Sequence, residues 1–315
     1  MIEINDLDSV LIIGAGTMGH SIAQVYAQAG LEVDLVDTDQ KKLDHALKLI
    51  KSNLDVLTEF NRVKMEEIPS IISRIHPKTN IKEAASDKLF VLEAVNEVVE
   101  LKKKIFDQLS EFCPENAILA SNTSSLDIFQ ITRSVKNRSR VIAHHWFSPP
   151  HIIPVVEVVP GRKTSQEVVD FSVNLIQKIG KKPIVIKKFI PSYIVNRIQN
   201  ALYSAMYELL ARKIATPEQI DLAIKSTLGI RLPIVGIAQS QDFTGLDLVL
   251  DIIKSKGGTL GLLQDKVDNN HLGAKTGKGL YDYHGKSEEE ILKKRDRLYL
   301  RQLEFLEKLT SFKRI

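Results

Sequence analysis

The chain has 315 residues, 43% hydrophobic and 26% charged, the composition of an ordinary globular protein long enough for two domains. Its 43 basic and 39 acidic residues leave a formal net charge of +4, too balanced to point to nucleic acid. The single cysteine, Cys113, excludes an intrachain disulfide and fits a reducing compartment. No apolar run approaches the ~18–20 residues needed to span a bilayer. The start, Met1-Ile2-Glu3-Ile4-Asn5-Asp6, carries acids and no basic stretch, so it does not read as a signal peptide, and a cytoplasmic protein is expected.

In chain order, Val10-Leu11-Ile12-Ile13 is a short apolar run ending in glycines, the pattern of a buried parallel strand. Residues 21–29 read as a helix stopped by Gly30, and 31–36 as a second strand closed by Asp37. Together they make a strand-helix-strand unit of the expected ~30 residues. Leu43, Leu47, Ile50, Leu54 and Leu57 then recur at helical spacing. A second helical piece over 65–75, ended by His76-Pro77, completes a helical hairpin over about 39–75 that is expected to project from the domain.

Alternation resumes with strands at 88–95, 117–121, 140–144, 155–159 and 183–186, and helices at 98–112, 126–133 and 165–179. The expected fold is therefore α/β: a Rossmann-type, doubly wound, mostly parallel sheet carrying the hairpin. After Pro191 the strands stop, and 192–212, 217–226, 246–253 and 288–309 read as helices. This divides the chain into a dinucleotide-binding domain over 1–190 and an all-α domain over 191–315, expected to hold substrate and to form a homodimer. No repeat, low-complexity segment or metal-ligand spacing stands out.

The loop Gly14-Ala15-Gly16-Thr17-Met18-Gly19 follows a strand and opens a helix. Glycine suits such a loop because the turn is tight and the backbone must approach a pyrophosphate closely. The helix N-terminus then offers free N–H groups to the negative charge. Asp37, at the end of the second strand, lies where a carboxylate binds both ribose hydroxyls and repels a 2′-phosphate, so NAD is expected rather than NADP. The bland reading, turn glycines and a loop acid, does not account for all these parts being in register.

Further on, His145 is followed twelve residues later by Glu157 inside the apolar run Val155-Val156-Glu157-Val158-Val159. A buried carboxylate is costly unless paired. An imidazole, with an unperturbed pKa of about 6.5, has the basicity to take a hydroxyl proton. His144 falls on the opposite face of the same strand and reads as structural.

The glycine loop with Met18, Glu93-Ala94-Val95-Asn96-Glu97, Ser121-Asn122-Thr123-Ser124-Ser125, the 145–149 stretch, Glu157, Ile194-Val195-Asn196-Arg197 and Lys275-Thr276-Gly277-Lys278-Gly279-Leu280-Tyr281-Asp282-Tyr283 together resemble the 3-hydroxyacyl-CoA dehydrogenase family over nearly the whole chain. The resemblance implies an NAD-dependent oxidoreductase of fatty acid metabolism that interconverts an L-3-hydroxyacyl-CoA and a 3-oxoacyl-CoA. His145 would be the general acid/base, Glu157 its orienting partner, and Ser124 and Asn196 contacts to the substrate hydroxyl. Gly14, Gly16, Thr17, Met18, Gly19 and Asp37 would hold the cofactor, with Glu97, Lys102 and Asn122 on its nicotinamide side. Plainer readings exist: Ser124 as a helix cap, Asn196 as a polar residue at the domain junction, Glu97 and Lys102 as an exposed pair on the first turns of a helix. On the hairpin, Lys41, Lys42, Lys48, Lys51, Arg62 and Lys64 are either phosphate contacts or a solvated face.

Two departures bear on the substrate. The family usually carries Asn three residues after the histidine, and this chain has Ser148. Pro191-Ser192-Tyr193 stands where a glycine usually precedes the Ile-Val-Asn-Arg stretch. The run from Pro149 to Glu157 looks more like relatives acting on free hydroxy acids, such as carnitine and gulonate dehydrogenases and lambda-crystallin. Arg231, in Leu228-Gly229-Ile230-Arg231, would then clamp a carboxylate, unless it is a surface residue after a helix stop. Two further readings are an NAD-binding protein without catalysis, and a relative using a lysine of the second domain, whose motif is not evident around Gly180.

Overall fold

The computed structural model describes residues 4–309 and 312; residues 1–3, part of the segment read above for a signal peptide, lie outside them. The chain forms two compact units, residues 1–201 and 202–315.

The first unit is an eight-stranded sheet. Its elements are β1 (Ser9–Ile13), α1 (Gly19–Gln28), β2 (Glu32–Val36), α2 (Gln40–Glu59), α3 (Ile68–Ser73), β3 (Ile75–Lys78), α4 (Ile81–Ala85), β4 (Phe90–Glu93), α5 (Val99–Phe112), β5 (Ile118–Ser121), α6 (Ile128–Ile131), β6 (Val141–Trp146), β7 (Val155–Pro160), α7 (Gln166–Lys178) and β8 (Lys182–Val185). The strand order is β3-β2-β1-β4-β5-β6-β7-β8. The first six strands run parallel, and β6 pairs with β7 antiparallel. The order reverses between β1 and β4, which opens a crevice beyond their carboxyl ends, the usual ligand position in such sheets. Strands β4, β5 and β6 are buried at every residue, as expected of parallel strands covered on both faces.

The hairpin reading needs correction. Helix α2 is capped by Asp39, whose side chain accepts the Lys41 N–H, and it buries Leu43, Ala46, Ile50 and Leu54 in the same core as Val10 and Ile12. Most of its length is therefore part of the domain, and its far end leaves Val56 and Phe60 exposed. The second helical piece stops at Ser73, because Ile75–Lys78 forms edge strand β3. His76-Pro77 lies within that strand and does not terminate a helix. Proline is tolerated there because an edge strand need not donate on both sides.

The second unit, with α8 (Val195–Ala211) running into it, contains α9 (Pro217–Lys225), α10 (Leu228–Thr244), α11 (Leu246–Ser255), α12 (Gly261–Asp268) and α13 (Glu288–Leu309). Helices α10 and α12 were not anticipated. Gly229, Pro233 and Gly236 are poor helix formers, and α10 is two helical pieces joined at Gly236, which has a φ of 70°. The unit is organised by one buried carboxylate. Asp242 accepts the Leu280 N–H at 2.8 Å, the Tyr281 N–H at 3.0 Å and the Tyr283 hydroxyl at 3.1 Å. Side chains at Gly273 or Gly279 would collide with it, their Cβ positions lying 2.2 and 2.4 Å from Asp242 atoms. The glycine-rich segment 275–283 is thus wrapped on Asp242. No helix among the described residues is long and apolar enough to cross a membrane.

Candidate active site

The glycine loop sits at the β1/β4 reversal. Gly14 has a φ of +103°, and a Cβ there would lie 2.7 Å from the Ala94 carbonyl oxygen. A Cβ on Gly19 would lie 1.7 Å from the Gly14 carbonyl oxygen. These two positions require glycine for internal packing. Gly16 is different: it is exposed, and nothing lies within 4 Å of its Cβ position, so its bare backbone faces outward at the mouth of α1. Thr17 is exposed beside it and Met18 is half-buried against the core. Asp37 accepts the Ala15 N–H at 3.0 Å through one oxygen and the Asp39 N–H at 3.2 Å through the other. A carboxylate is thereby held at the loop's edge, and Lys42 stays 3.9 Å away. An outward-facing glycine backbone, a helix N-terminus and a fixed acid fit a dinucleotide carrying free ribose hydroxyls.

His145 and Glu157 face each other across the antiparallel β6/β7 register. Glu157 is fully buried and His145 nearly so, and their Nδ1 and Oε2 atoms are 2.7 Å apart. Glu157 Oε1 accepts the N–H groups of Ile194 and Val195, each at 3.0 Å. Four lone-pair directions of a buried carboxylate need partners, and three are accounted for here. The turn that brings those two N–H groups in has Ser192 at φ 65° and Tyr193 at φ 50°. Such left-handed conformations cost a non-glycine residue about 1 kcal/mol each, which is the physical reason glycine is the usual choice there. The Tyr193 ring is buried with its centroid 5.1 Å from that of His145, and Phe147 packs edge-on at 4.6 Å. Asn196 Nδ2 lies 3.4 Å from His145 Nε2. With Nδ1–H donated to the carboxylate, Nε2 presents a lone pair, and the arrangement can accept and return a proton at that atom.

His144 is fully buried, with neither ring nitrogen hydrogen-bonded. Its ring lies 5.5 Å from Phe90, and burial pushes its pKa down to about 3. It is a neutral filler of the sheet face opposite His145, in keeping with the alternation.

Around β4 and β5 the structure shows a second buried carboxylate that the residue pattern had not singled out. Glu93 Oε1 accepts the Lys102 ammonium at 2.6 Å and the Val95 N–H at 2.8 Å, and Oε2 accepts the Ser121 hydroxyl at 2.6 Å. The signal was the cost of an acid next to buried apolar residues, which marks Glu93 after Phe90-Val91-Leu92 as it marks Glu157 inside its own run. Lys102 is buried inside α5, not on an exposed helix face, and its charge is engaged by Glu93. Glu97 is exposed and bonds the Thr123 hydroxyl at 2.8 Å and the Ser124 N–H at 2.6 Å. Ser124 is therefore gripped through its backbone; the cap of α6 is Asp127, not Ser124. Asn122 Oδ1 accepts the Trp146 N–H at 2.9 Å, tying the end of β5 to β6. Ser148 is exposed just beyond β6. Arg231 is exposed on α10, in the second unit. Among the described residues no group of His, Cys, Asp or Glu side chains could hold a metal ion.

Residues 9–189 match the NAD binding domain of 3-hydroxyacyl-CoA dehydrogenase, and residues 193–283 its C-terminal domain. A 3-hydroxybutyryl-CoA dehydrogenase of Clostridioides difficile is 35% identical over 281 residues, covering 87% of this chain and 98% of that one. The 3-hydroxyadipyl-CoA dehydrogenase of Escherichia coli is 33% identical over 295 residues; the match takes in 91% of this chain but only 61% of that longer protein. Among solved structures, a 3-hydroxyacyl-CoA dehydrogenase of Archaeoglobus fulgidus superposes with a TM-score of 0.79 at 27% identity, covering 95% of this chain and 98% of that one. The chain therefore belongs to the 3-hydroxyacyl-CoA dehydrogenase family, whose members are NAD-dependent oxidoreductases.

Proposed function

We propose that the protein interconverts an L-3-hydroxyacyl-CoA and the corresponding 3-oxoacyl-CoA, with His145 as general acid/base. The observation that carries this is the His145–Glu157 pair, buried at the end of β6 and braced by two backbone N–H groups. Glu157 holds the imidazole in the tautomer that leaves Nε2 available, and favours the imidazolium formed when the substrate hydroxyl gives up its proton. Bound NAD supplies the hydride acceptor. Gly14, Gly16, Thr17, Met18, Gly19 and Asp37 hold it, with Glu97 and Asn122 shaping the nicotinamide end and Lys102 fixing that wall through Glu93. Ser124 and Asn196 donate hydrogen bonds to the substrate oxygen as its charge changes.

A second reading, the same chemistry on a free 3-hydroxy acid, rests on Ser148 and the proline-rich run that follows it. With a shorter side chain at 148 the substrate is placed differently. The two are separated by kcat/KM for 3-hydroxybutyryl-CoA, and for acetoacetyl-CoA in reverse, against free 3-hydroxybutyrate, carnitine and gulonate. Absence of turnover with every CoA thioester overturns the first reading.

The second unit also supports a homodimer. Its helices leave Tyr203, Tyr207, Leu222, Ile237, Leu262 and Phe305 exposed, more apolar surface than a lone helical unit keeps in water. Light scattering giving the mass of one chain would refute this.

A further inference from the structure

One cavity of the first unit plays no part in the reading above. It has a volume of about 760 Å³, within the usual range for small-molecule sites, and lies where β6 begins at Val141 and β7 ends at Pro160. His145 is four residues further along β6, about 13 Å away at strand spacing. The glycine loop is at the carboxyl end of the parallel strands, whereas this cavity is at their amino end.

Its lining is strongly one-signed. Arg133, Arg138, Arg162, Lys163, Lys187 and Lys188 converge on it from four separate segments. Asp127 is the sole acidic residue of the lining, and its Oδ1 accepts the Phe129 and Gln130 N–H groups of the helix that it caps. Arg138 donates to the Phe129 carbonyl at 2.8 Å, and none of the six cations is paired with a carboxylate in the described residues. Cations gathered around a concave surface repel one another and focus the field for an anion. On an ordinary surface, acids are interspersed with them, as they are over this chain as a whole, with its net charge of +4.

The floor is built as well as charged. Phe129 and Phe189 meet edge to face with centroids 5.7 Å apart, and both are only half-buried. Gly161 lies so close to this floor that a Cβ would come within 2.4 Å of the Phe129 ring. The Gly161 N–H is turned onto the Thr164 hydroxyl, which in turn donates to the Val141 carbonyl at 2.6 Å. The turn carrying Arg162 and Lys163 is therefore held in place by packing and by hydrogen bonds.

We propose that this cavity is a second ligand site, taking an organic polyphosphate of nucleoside-triphosphate class. Its phosphates meet the arginine and lysine rim, and its flat apolar ring system lies against Phe129 and Phe189. Several phosphates match a rim of six cations, where a lone carboxylate would leave most of that charge uncompensated. Arginine also grips phosphate oxygens in pairs.

The test is titration calorimetry of the full chain with ATP, inorganic tripolyphosphate and adenosine, in saturating NADH so that the dinucleotide cradle is filled. ATP should bind with a stoichiometry of one per chain, more tightly than tripolyphosphate, and adenosine should not bind. The paired reversals Arg162→Glu with Lys163→Glu, and separately Lys187→Glu with Lys188→Glu, should each weaken ATP binding at least tenfold. NADH affinity and dehydrogenase turnover should be unchanged, which also shows that the variants fold. Raising salt should weaken ATP binding in the wild type. The site is refuted if ATP gives no saturable binding, if NADH displaces it competitively, or if both paired reversals bind ATP as the wild type does. Equal affinity for ATP and tripolyphosphate would refute the aromatic seat.

Discussion

The two units treat charge and apolar surface in opposite ways. In residues 1–201 the interior encloses Glu93, Lys102, His145 and Glu157, each engaged by a partner, within an extensive apolar core on both faces of the sheet. In residues 202–315, among the described residues, Asp242 is the one buried polar side chain, and the buried apolar residues are few: Leu246, Leu250, Leu263, Ala274, Tyr283 and Ile291. Large apolar side chains stand outside instead. The first unit closes on itself and can therefore hold charges out of water at fixed positions. The second is organised around one hydrogen-bonded turn and leaves its large apolar side chains exposed.

The sharpest break in that comparison is at His145. In His145→Gln, kcat should fall by about 10²–10⁴ while thermal stability changes little, the range for loss of a general acid/base. Wild-type kcat in this variant would remove the catalytic reading of the pair.

Next in size is Lys102→Met. It leaves the Glu93 carboxylate buried without its counter-charge and should lower unfolding stability by about 3–5 kcal/mol in a denaturant titration. An unchanged midpoint would mean the ion pair is not sustaining the wall of the crevice. In the second unit, Asp242→Ala leaves the part-buried Leu280 and Tyr281 N–H groups and the buried Tyr283 hydroxyl without their acceptor, with an expected loss of about 2–3 kcal/mol. If that loss exceeds the one at Lys102, the contrast between the units is weaker than their interiors suggest.

Smallest per pH unit, and spread over the widest range, is the pH dependence at His144. Its folded-state pKa, about 3, is below the unfolded value near 6.5, so the unfolded chain binds the proton first as pH falls. This group's contribution is constant above about 6.5 and is then lost at up to ~1.4 kcal/mol per pH unit on acidification toward 3. Stability curves of His144→Leu should be flatter than wild type between pH 6.5 and 4.5; parallel curves would contradict the assignment.

Legibility in the sequence followed the range of the interactions. The glycine loop, Asp37 and the strand-helix alternation were readable because they are set by local conformation and by period. His145 and Glu157 could be linked from the cost of an acid inside an apolar run. Edge strand β3 was missed because a short segment holding His76 and Pro77 lacks strand propensity and is drawn into the sheet only by β2. Helix α10 was missed because it contains Gly229, Pro233 and Gly236, poor helix formers that the folded chain tolerates, with a kink at Gly236. The burial of Lys102 was hidden, since a lysine early in an amphipathic helix is normally solvated.

The layered α/β unit, the helical unit after it and the glycine loop at the first strand's end were legible in the residue pattern alone. All of these follow from periodicity and turn chemistry. Only the tertiary structure decided which charges meet. It turned β7 antiparallel to β6 so that Glu157 faces His145, folded the left-handed Ser192-Tyr193 turn onto that carboxylate, and enclosed Glu93 with Lys102. Those pairings join residues 9 to 38 positions apart, and chain composition does not specify partners at that separation. They form because a carboxylate forced into the core by its apolar neighbours must find donors there.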